Sequence, residues 1–193
     1  RLIWREWLPE AVRSFLARQT GLVSNECEAL ITLLASVHDI GKATPSFSFK
    51  ATGPAERVRT TGLDLPMTCK PYSHAYMGEI LLGDWLQERG WSENVFAGYA
   101  SVIGGHHGTN PNGGSCEGDL EDIRFEQRKR PRFVMGNEDW KAVQNELMGW
   151  AFEGSGAAWC EDALKQHAIP AYVQILLTGM VIMADWISSN EAM

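Results

Sequence analysis

The side chains best suited to chemistry are four of the five histidines, His38, His74, His106 and His107, and one late carboxylate, Asp185. His38 is followed by Asp39, Gly41 and Lys42 in the string VHDIGK. Neighbouring helical side chains point ~100° apart, so His38 and Asp39 do not grip one ion as a pincer. They suit a site where the histidine binds one metal and the two carboxylate oxygens bridge to a second ion ~3.5–4 Å away. A helix-terminal histidine beside a capping aspartate is the plainer alternative. Gly41 lets the backbone come close, and Lys42 can meet a phosphate. His106 and His107 lie in GGHHG, where flanking glycines leave the imidazoles, the commonest transition-metal ligands, free to aim. Two adjacent surface histidines are the alternative there.

Other positions say less by themselves. His74 opens a helix, where a lone histidine is more often a capping or surface residue. Asp185 sits in MADWISS within an apolar segment, where an unpaired buried carboxylate is costly and a metal would explain it. Alternatively, Gln174, Thr178, Val181 and Asp185 form one helical stripe that faces water. His167 stands outside any pattern and reads as a surface residue. Ser46, Ser48 and Ser73 have no fixed partner for a nucleophilic triad.

The elements that must position these groups read as helices almost throughout, with no alternating strand segment and no repeat. Trp7, Leu8, Val12, Phe15 and Leu16 recur at helical spacing. Asn25 with Glu28 resembles a capping box for a helix that carries Ala29, Leu30, Leu33, Leu34 and Val37 into His38 and is broken by Gly41. Residues 42–73, with Pro45, Pro54, Pro66 and Pro71, read as loop. Ser73 is positioned to cap a helix from His74 to about Arg89, and a further helix covers Ser92 to Val102. The segment from Gly104 to Gly118 holds six glycines and a proline and reads as loop. Asn137 caps a helix to about Phe152, and Pro170 suits the first turn of a last helix reaching Ser188. The apolar stretch from Ala171 to Ile187 contains Gln174, Thr178 and Asp185. It falls short of the ~20 apolar residues of a membrane span and reads as a buried helix. The eight tryptophans, spread along the chain, read as core anchors rather than a base-stacking platform.

Composition bounds the rest. The 193 residues, 45% hydrophobic and 21% charged, fit one globular domain, or at most a domain with an arm. A net charge of −7 argues against a cationic sleeve that grips nucleic acid by charge alone. Local positive charge exists, however: Arg124, Arg128, Lys129, Arg130 and Arg132 put five cations within nine residues against the single Glu126. That run either guides a strand or is a solvated charged loop. The four cysteines form no CxxC pair and suit free thiols in a reducing cytoplasm. No apolar signal run opens the chain. It begins with Arg1 rather than an initiator Met, which points to an origin inside a longer gene product.

Taken in order, His-Asp, lone His, His-His and late Asp resemble the HD superfamily of metal-dependent phosphohydrolases. More narrowly, LLASVHDIGKATPSF, YSHAYMGEILL, VIGGHHG and MADWISS are similar to the HD nuclease domain of the CRISPR type I helicase-nucleases, which degrade invading DNA. The resemblance spans residues 30–189. It implies an all-α HD-domain helical bundle with long loops and two divalent transition metals. Asp39 would bridge the ions. His74, His106 and His107 would complete one, and His38 with Asp185 would bind the other, with Lys42 near the scissile phosphate. Mixed imidazole and carboxylate ligands suit Mn, Ni, Co or Fe better than Mg, and the resemblance also places Zn behind them. Such ions would activate a water, so the missing triad does not count against hydrolysis. The implied partners are single-stranded DNA, helicase modules in cis or in trans, and the CRISPR surveillance complex, with no membrane. Such families carry a further histidine upstream of the HD pair, and none precedes His38 here. The expectation is a single HD nuclease domain over 1–193 that lacks its N-terminal segment and its helicase modules. Two other functions share parts of the pattern: a phosphohydrolase acting on nucleotides or cyclic nucleotides, and a catalytically incomplete docking module.

Overall fold

The computed structural model describes residues 1–108 and 117–190. Among these residues the secondary structure is helical, with no strand. A π-helical turn at Ile3–Trp7 precedes α1 (Glu10–Thr20), α2 (Ser24–Val37), α3 (Pro45–Ser48) and α4 (Thr52–Thr60). There follow α5 (His74–Glu88), α6 (Glu93–Gly104), α7 (Glu117–Lys129), α8 (Pro131–Val134), α9 (Glu138–Ser155), α10 (Glu161–Leu164) and α11 (Ala171–Ser188). Short 3-10 turns cover Ile40–Lys42 and Ala157–Cys160.

The central element is α2. Ala29, Leu30, Leu33, Leu34 and Val37 are all buried at the three-and-four spacing read from the sequence. They pack in one cluster with Tyr99, Val102 and Ile103 of α6, Met148 and Phe152 of α9, and Val173, Leu177 and Val181 of α11. A second cluster joins Tyr76, Met77 and Ile80 of α5 to Ile123 of α7 and Val134 of α8. The consequence for function is positional: the C-terminal end of α2, the start of α5, the end of α6 and the last turns of α11 converge.

Several boundaries differ from the sequence reading. Helix α2 starts earlier than the Asn25–Glu28 pattern predicts. The Glu26 carboxylate accepts from the Val23 backbone N–H at 2.8 Å, while Glu28 pairs with Arg5. The stretch 42–73 is not all loop, because Pro45 occupies the first turn of α3, where its missing N–H costs nothing. Ser73 precedes α5 but makes no side-chain cap. The Asn137 side chain does cap α9, accepting from Trp140 N–H at 3.3 Å. Of the glycine-rich segment, 109–116 lies outside the described residues.

Helix α11 is not buried all round. Val173, Leu177, Met180 and Val181 face the core, whereas Ile175 and Trp186 are 65% and 72% exposed. By length and composition alone this helix could cross a membrane, yet it packs against α1, α2 and α6. The Gln174 stripe does not simply face water: Val181 is buried, and Gln174 accepts from Ser101 of α6 at 2.8 Å. The tryptophans also divide. Trp4, Trp91 and Trp140 are core anchors, while Trp7, Trp150, Trp159 and Trp186 are exposed because they fall off the buried helical stripes. His167 is half-buried rather than a free surface residue, with its ring against Gly21 and its carbonyl accepting from Tyr99 Oη at 2.8 Å. Cys27, Cys69 and Cys160 are free thiols.

Candidate metal centre

The site begins where α2 stops. His38 follows its last turn, and the chain then folds into a tight turn closed by Lys42 N–H to Asp39 C=O at 2.8 Å. Gly41 is essential to that turn. A Cβ there would lie 1.9 Å from the His74 carbonyl oxygen and 2.7 Å from the Gly78 nitrogen. The close approach expected of this glycine is therefore to the backbone of α5, and it sets Asp39 beside His74.

His74 opens α5, and its Nε2 lies 3.2 Å from Asp39 Oδ1. His106 and His107 come in the turn that ends α6. His106 N–H is bonded to Ile103 C=O, and the turn closes at Gly108, whose φ of +80° favours glycine. The doublet is thus held by the helix end rather than carried on a swinging loop. His107 Nε2 lies 2.8 Å from His74 Nε2, and His106 Nε2 lies 3.9 Å from Asp39 Oδ1. On the other side, His38 Nε2 is 3.4 Å from Asp39 Oδ2 and 3.4 Å from Asp185 Oδ1.

All six sequence-predicted ligands therefore lie together, in two groups: His74, His106 and His107 in one, and His38, Asp39 and Asp185 in the other. Within each group the candidate donor atoms lie within 4.8 Å of one another. Asp39 turns Oδ1 towards the first group and Oδ2 towards His38 of the second. Lys42 Nζ reaches Asp39 Oδ2 at 2.6 Å. Asp185 differs from its sequence reading: its side chain is 34% exposed at the lip of the site, with Ser189 Oγ 3.2 Å away, so no deeply buried charge needs explaining. Arg1, Ile3 and Trp4 line the cavity of about 230 Å³ beside His38 and Asp185.

The electrostatics fit a cation site. His38 Nδ1 lies 2.7 Å from Ala35 C=O and His106 Nδ1 lies 2.6 Å from Ile103 C=O. Each carbonyl holds the proton on Nδ1 and leaves the Nε2 lone pair facing the site, the arrangement that orients metal-binding histidines. Both Nε2 atoms are buried without a hydrogen-bond partner among the described residues. Two orphaned acceptors on one buried patch are costly unless something positive fills the space. Burial pushes His106 down to about 4, so its ring is neutral at pH 7. Burial, reinforced by His74, also lowers His107. Burial would raise the Asp39 carboxyl, but His38, His74 and Lys42 beside it hold it far below the usual range. His38 is raised, chiefly by Asp39 and against its own burial.

The basic run lies apart from this cluster in sequence and is helical rather than a loop, spanning α7 and the start of α8. Two of its cations are neutralised by acids distant in the chain: Arg132 pairs with Asp64, and Arg124 lies 3.8 Å from Asp84. Lys129 Nζ rests 4.2 Å from the Phe125 ring centroid. Arg124 also bears on Glu79 of α5, whose Oε2 is buried without a partner among the described residues. Burial pushes Glu79 up to about 7, against the pull of Arg124. A carboxyl whose folded pKa exceeds its ordinary 4.5 holds its proton more tightly when folded, so its contribution favours folding below 4.5 and is lost as pH rises through 7. Melting temperature should therefore fall from about pH 5 to about pH 8 less steeply in Glu79→Gln than in the unsubstituted chain, and equal slopes would contradict this reading.

The sequence reading did not single out Phe47, whose ring meets His74 edge-on with centroids 5.3 Å apart. Its only signal was an aromatic residue nine positions after His38, within the string carrying the resemblance.

An all-helical bundle in which one aspartate lies between a histidine trio and a second histidine–aspartate pair has the form of an HD domain. A family model described as "Cas3, HD domain" matches residues 1–193, and the chain belongs to that family. It is 27% identical over 210 residues to the CRISPR-associated nuclease/helicase Cas3 of Streptococcus thermophilus, covering 98% of this chain and 21% of that protein. Identity to the CRISPR-associated endonuclease/helicase Cas3 of Thermus thermophilus is 27% over 187 residues, covering 96% and 19% respectively. The chain thus spans about a fifth of the length of these curated relatives. The fold is shared with the Thermus thermophilus Cas3 HD domain crystallised in the presence of Ni2+, with a TM-score of 0.63 at 21% identity over 95% of this chain and 64% of that one.

Proposed function

We propose that this chain is the nuclease module of a CRISPR helicase-nuclease and hydrolyses phosphodiester bonds of single-stranded DNA with bound divalent transition metals. The observation that carries this reading is the placement of Asp39, with one carboxylate oxygen towards each of two groups of ligand-type side chains. His74, His106 and His107 would hold one ion with Asp39 Oδ1, and His38 and Asp185 the other with Asp39 Oδ2. Metal bound there supplies an activated water and neutralises charge developing on the phosphate.

The chain's own groups do the positioning. Ala35 and Ile103 carbonyls fix the tautomers of His38 and His106. Lys42, exposed and paired with Asp39, is placed to meet a non-bridging phosphate oxygen. Arg128, Lys129 and Arg130 are the part of the basic run without a carboxylate partner among the described residues, and they are the cations available to lead a strand inward. Imidazole-rich ligation favours Mn, Ni, Co or Fe over Mg. Helicase modules and a CRISPR surveillance complex are the partners this reading requires, in the cytoplasm where invading DNA is met.

The direct test is cleavage of labelled single-stranded DNA with Mn2+ or Ni2+. Activity should disappear with chelator and return with added metal. Cleavage that survives chelation would contradict the reading, and turnover of free nucleotides without any of DNA would replace it with a small-molecule phosphohydrolase.

A further inference from the structure

Beside the histidine trio lies an aromatic ring that the metal ligation does not use. Phe47 meets His74 edge-on at 76°, and two ammonium groups lie over its ring, Lys50 Nζ at 5.2 Å and Lys42 Nζ at 5.9 Å from the centroid. Lys42 in turn touches Asp39. A half-buried ring, two exposed lysines and the shared carboxylate therefore form one continuous strip. Phe47 belongs to none of the buried apolar clusters, so the core does not account for its position.

The short helix that presents it is firmly pinned. Thr44 and Ser46 are fully buried. The Thr44 hydroxyl donates to Gly41 C=O at 2.8 Å and accepts from Phe47 N–H at 3.3 Å. Ser46 Oγ donates to Lys70 C=O at 2.8 Å and accepts from Tyr72 N–H at 3.0 Å. Gln144 of α9 donates to Ala43 C=O at 2.7 Å. A helix of four residues has no stability of its own, so these bonds hold the ring in place beside His74.

A phosphodiester that reaches Asp39 and Lys42 carries a base on each side. Stacking a base on an aromatic ring is sequence-tolerant, because every base has a π-face, and lysines beside the ring attract the adjoining phosphates. We propose that Phe47, with Lys42 and Lys50, is a nucleotide-binding subsite that stacks the base next to the scissile phosphate of single-stranded DNA. The proposal rests on the nuclease reading for the position of that phosphate, and it explains how an acidic chain grips a strand without reading its sequence.

The test compares a short thymidine oligonucleotide with the abasic strand of the same length, both phosphorothioate-linked to resist hydrolysis, by fluorescence anisotropy with Mn2+. The unsubstituted chain should bind the thymidine strand about ten-fold more tightly or better, the scale of one base–aromatic stack. Phe47→Leu should lose most of that ratio and Phe47→Trp should keep it. A ring that only positions His74 would leave the ratio unchanged in Phe47→Leu, which would overturn the proposal. So would equal affinity of the unsubstituted chain for the two strands, a result that needs no variant to fold. Cleavage of the ordinary phosphodiester strand is followed in parallel. Cleavage with equal affinities removes the subsite and leaves the nuclease reading, whereas base-dependent binding without cleavage does the reverse.

Discussion

Asp39→Ala should reduce metal-dependent cleavage of single-stranded DNA by at least about a thousand-fold, equivalent to about 4 kcal/mol of transition-state stabilisation. The size follows from its place. Asp39 is the one side chain with an oxygen towards each ligand group, at 3.2 Å from His74 Nε2 and 3.4 Å from His38 Nε2. Removing it would take a ligand from both proposed ions and leave four histidines and Asp185 to hold them. Metal content should fall on both sides, whereas His107→Ala, at the exposed edge, should weaken one side only. Asp39→Asn retains the shape and should be nearly as damaging, because the negative charge that would lie between the two proposed cations is lost. Single-turnover cleavage alongside metal analysis checks this, with circular dichroism as the control for folding. Cleavage within ten-fold of the unsubstituted rate would contradict it.

Gly41→Ala should destabilise the chain by about 3 kcal/mol and lower its melting temperature by roughly 6–12 °C. The new Cβ would meet the His74 carbonyl oxygen at 1.9 Å, its carbon at 2.8 Å and the Gly78 nitrogen at 2.7 Å, all backbone atoms of one helix that no side-chain rotation can clear. Either the 40–42 turn lifts away from α5 or α5 bends. In both cases Asp39 and Lys42 leave His74, so metal affinity should fall together with stability. Gly62→Ala is a useful contrast, since its backbone is strained for alanine, with φ of +85°, but nothing lies within 4 Å of the added carbon. Differential scanning calorimetry checks the difference. An unchanged melting temperature for Gly41→Ala would mean that the turn does not set the α5 contact.

The histidine and aspartate positions were legible from their order along the chain and the resemblance that order carries, because each string alone (a helix end before Gly41, a lone His74, glycines around the doublet, a carboxylate late in an apolar helix) allows a plainer reading. The all-α class followed from helical spacing in α2, α5 and α11. What the sequence could not convey depends on segments meeting across the fold. Nothing near Arg132 or Arg124 announces that Asp64 and Asp84 neutralise them. Pro45 reads as a loop residue until its position in a helix's first turn is known. The exposed side of α11 was hidden by its composition, since an apolar sequence does not say which stripe finds a neighbour. Phe47 was passed over because its meaning lies in the ring of His74, 27 positions later.

The pairing of cations across one carboxylate is tested most directly by anomalous diffraction from crystals soaked in Mn2+. The expected map has two peaks, one among His74, His106 and His107 and one between His38 and Asp185, each in contact with a different oxygen of Asp39. A single peak that leaves Asp39 without contact, or no peak among these six side chains at saturating metal, would contradict it.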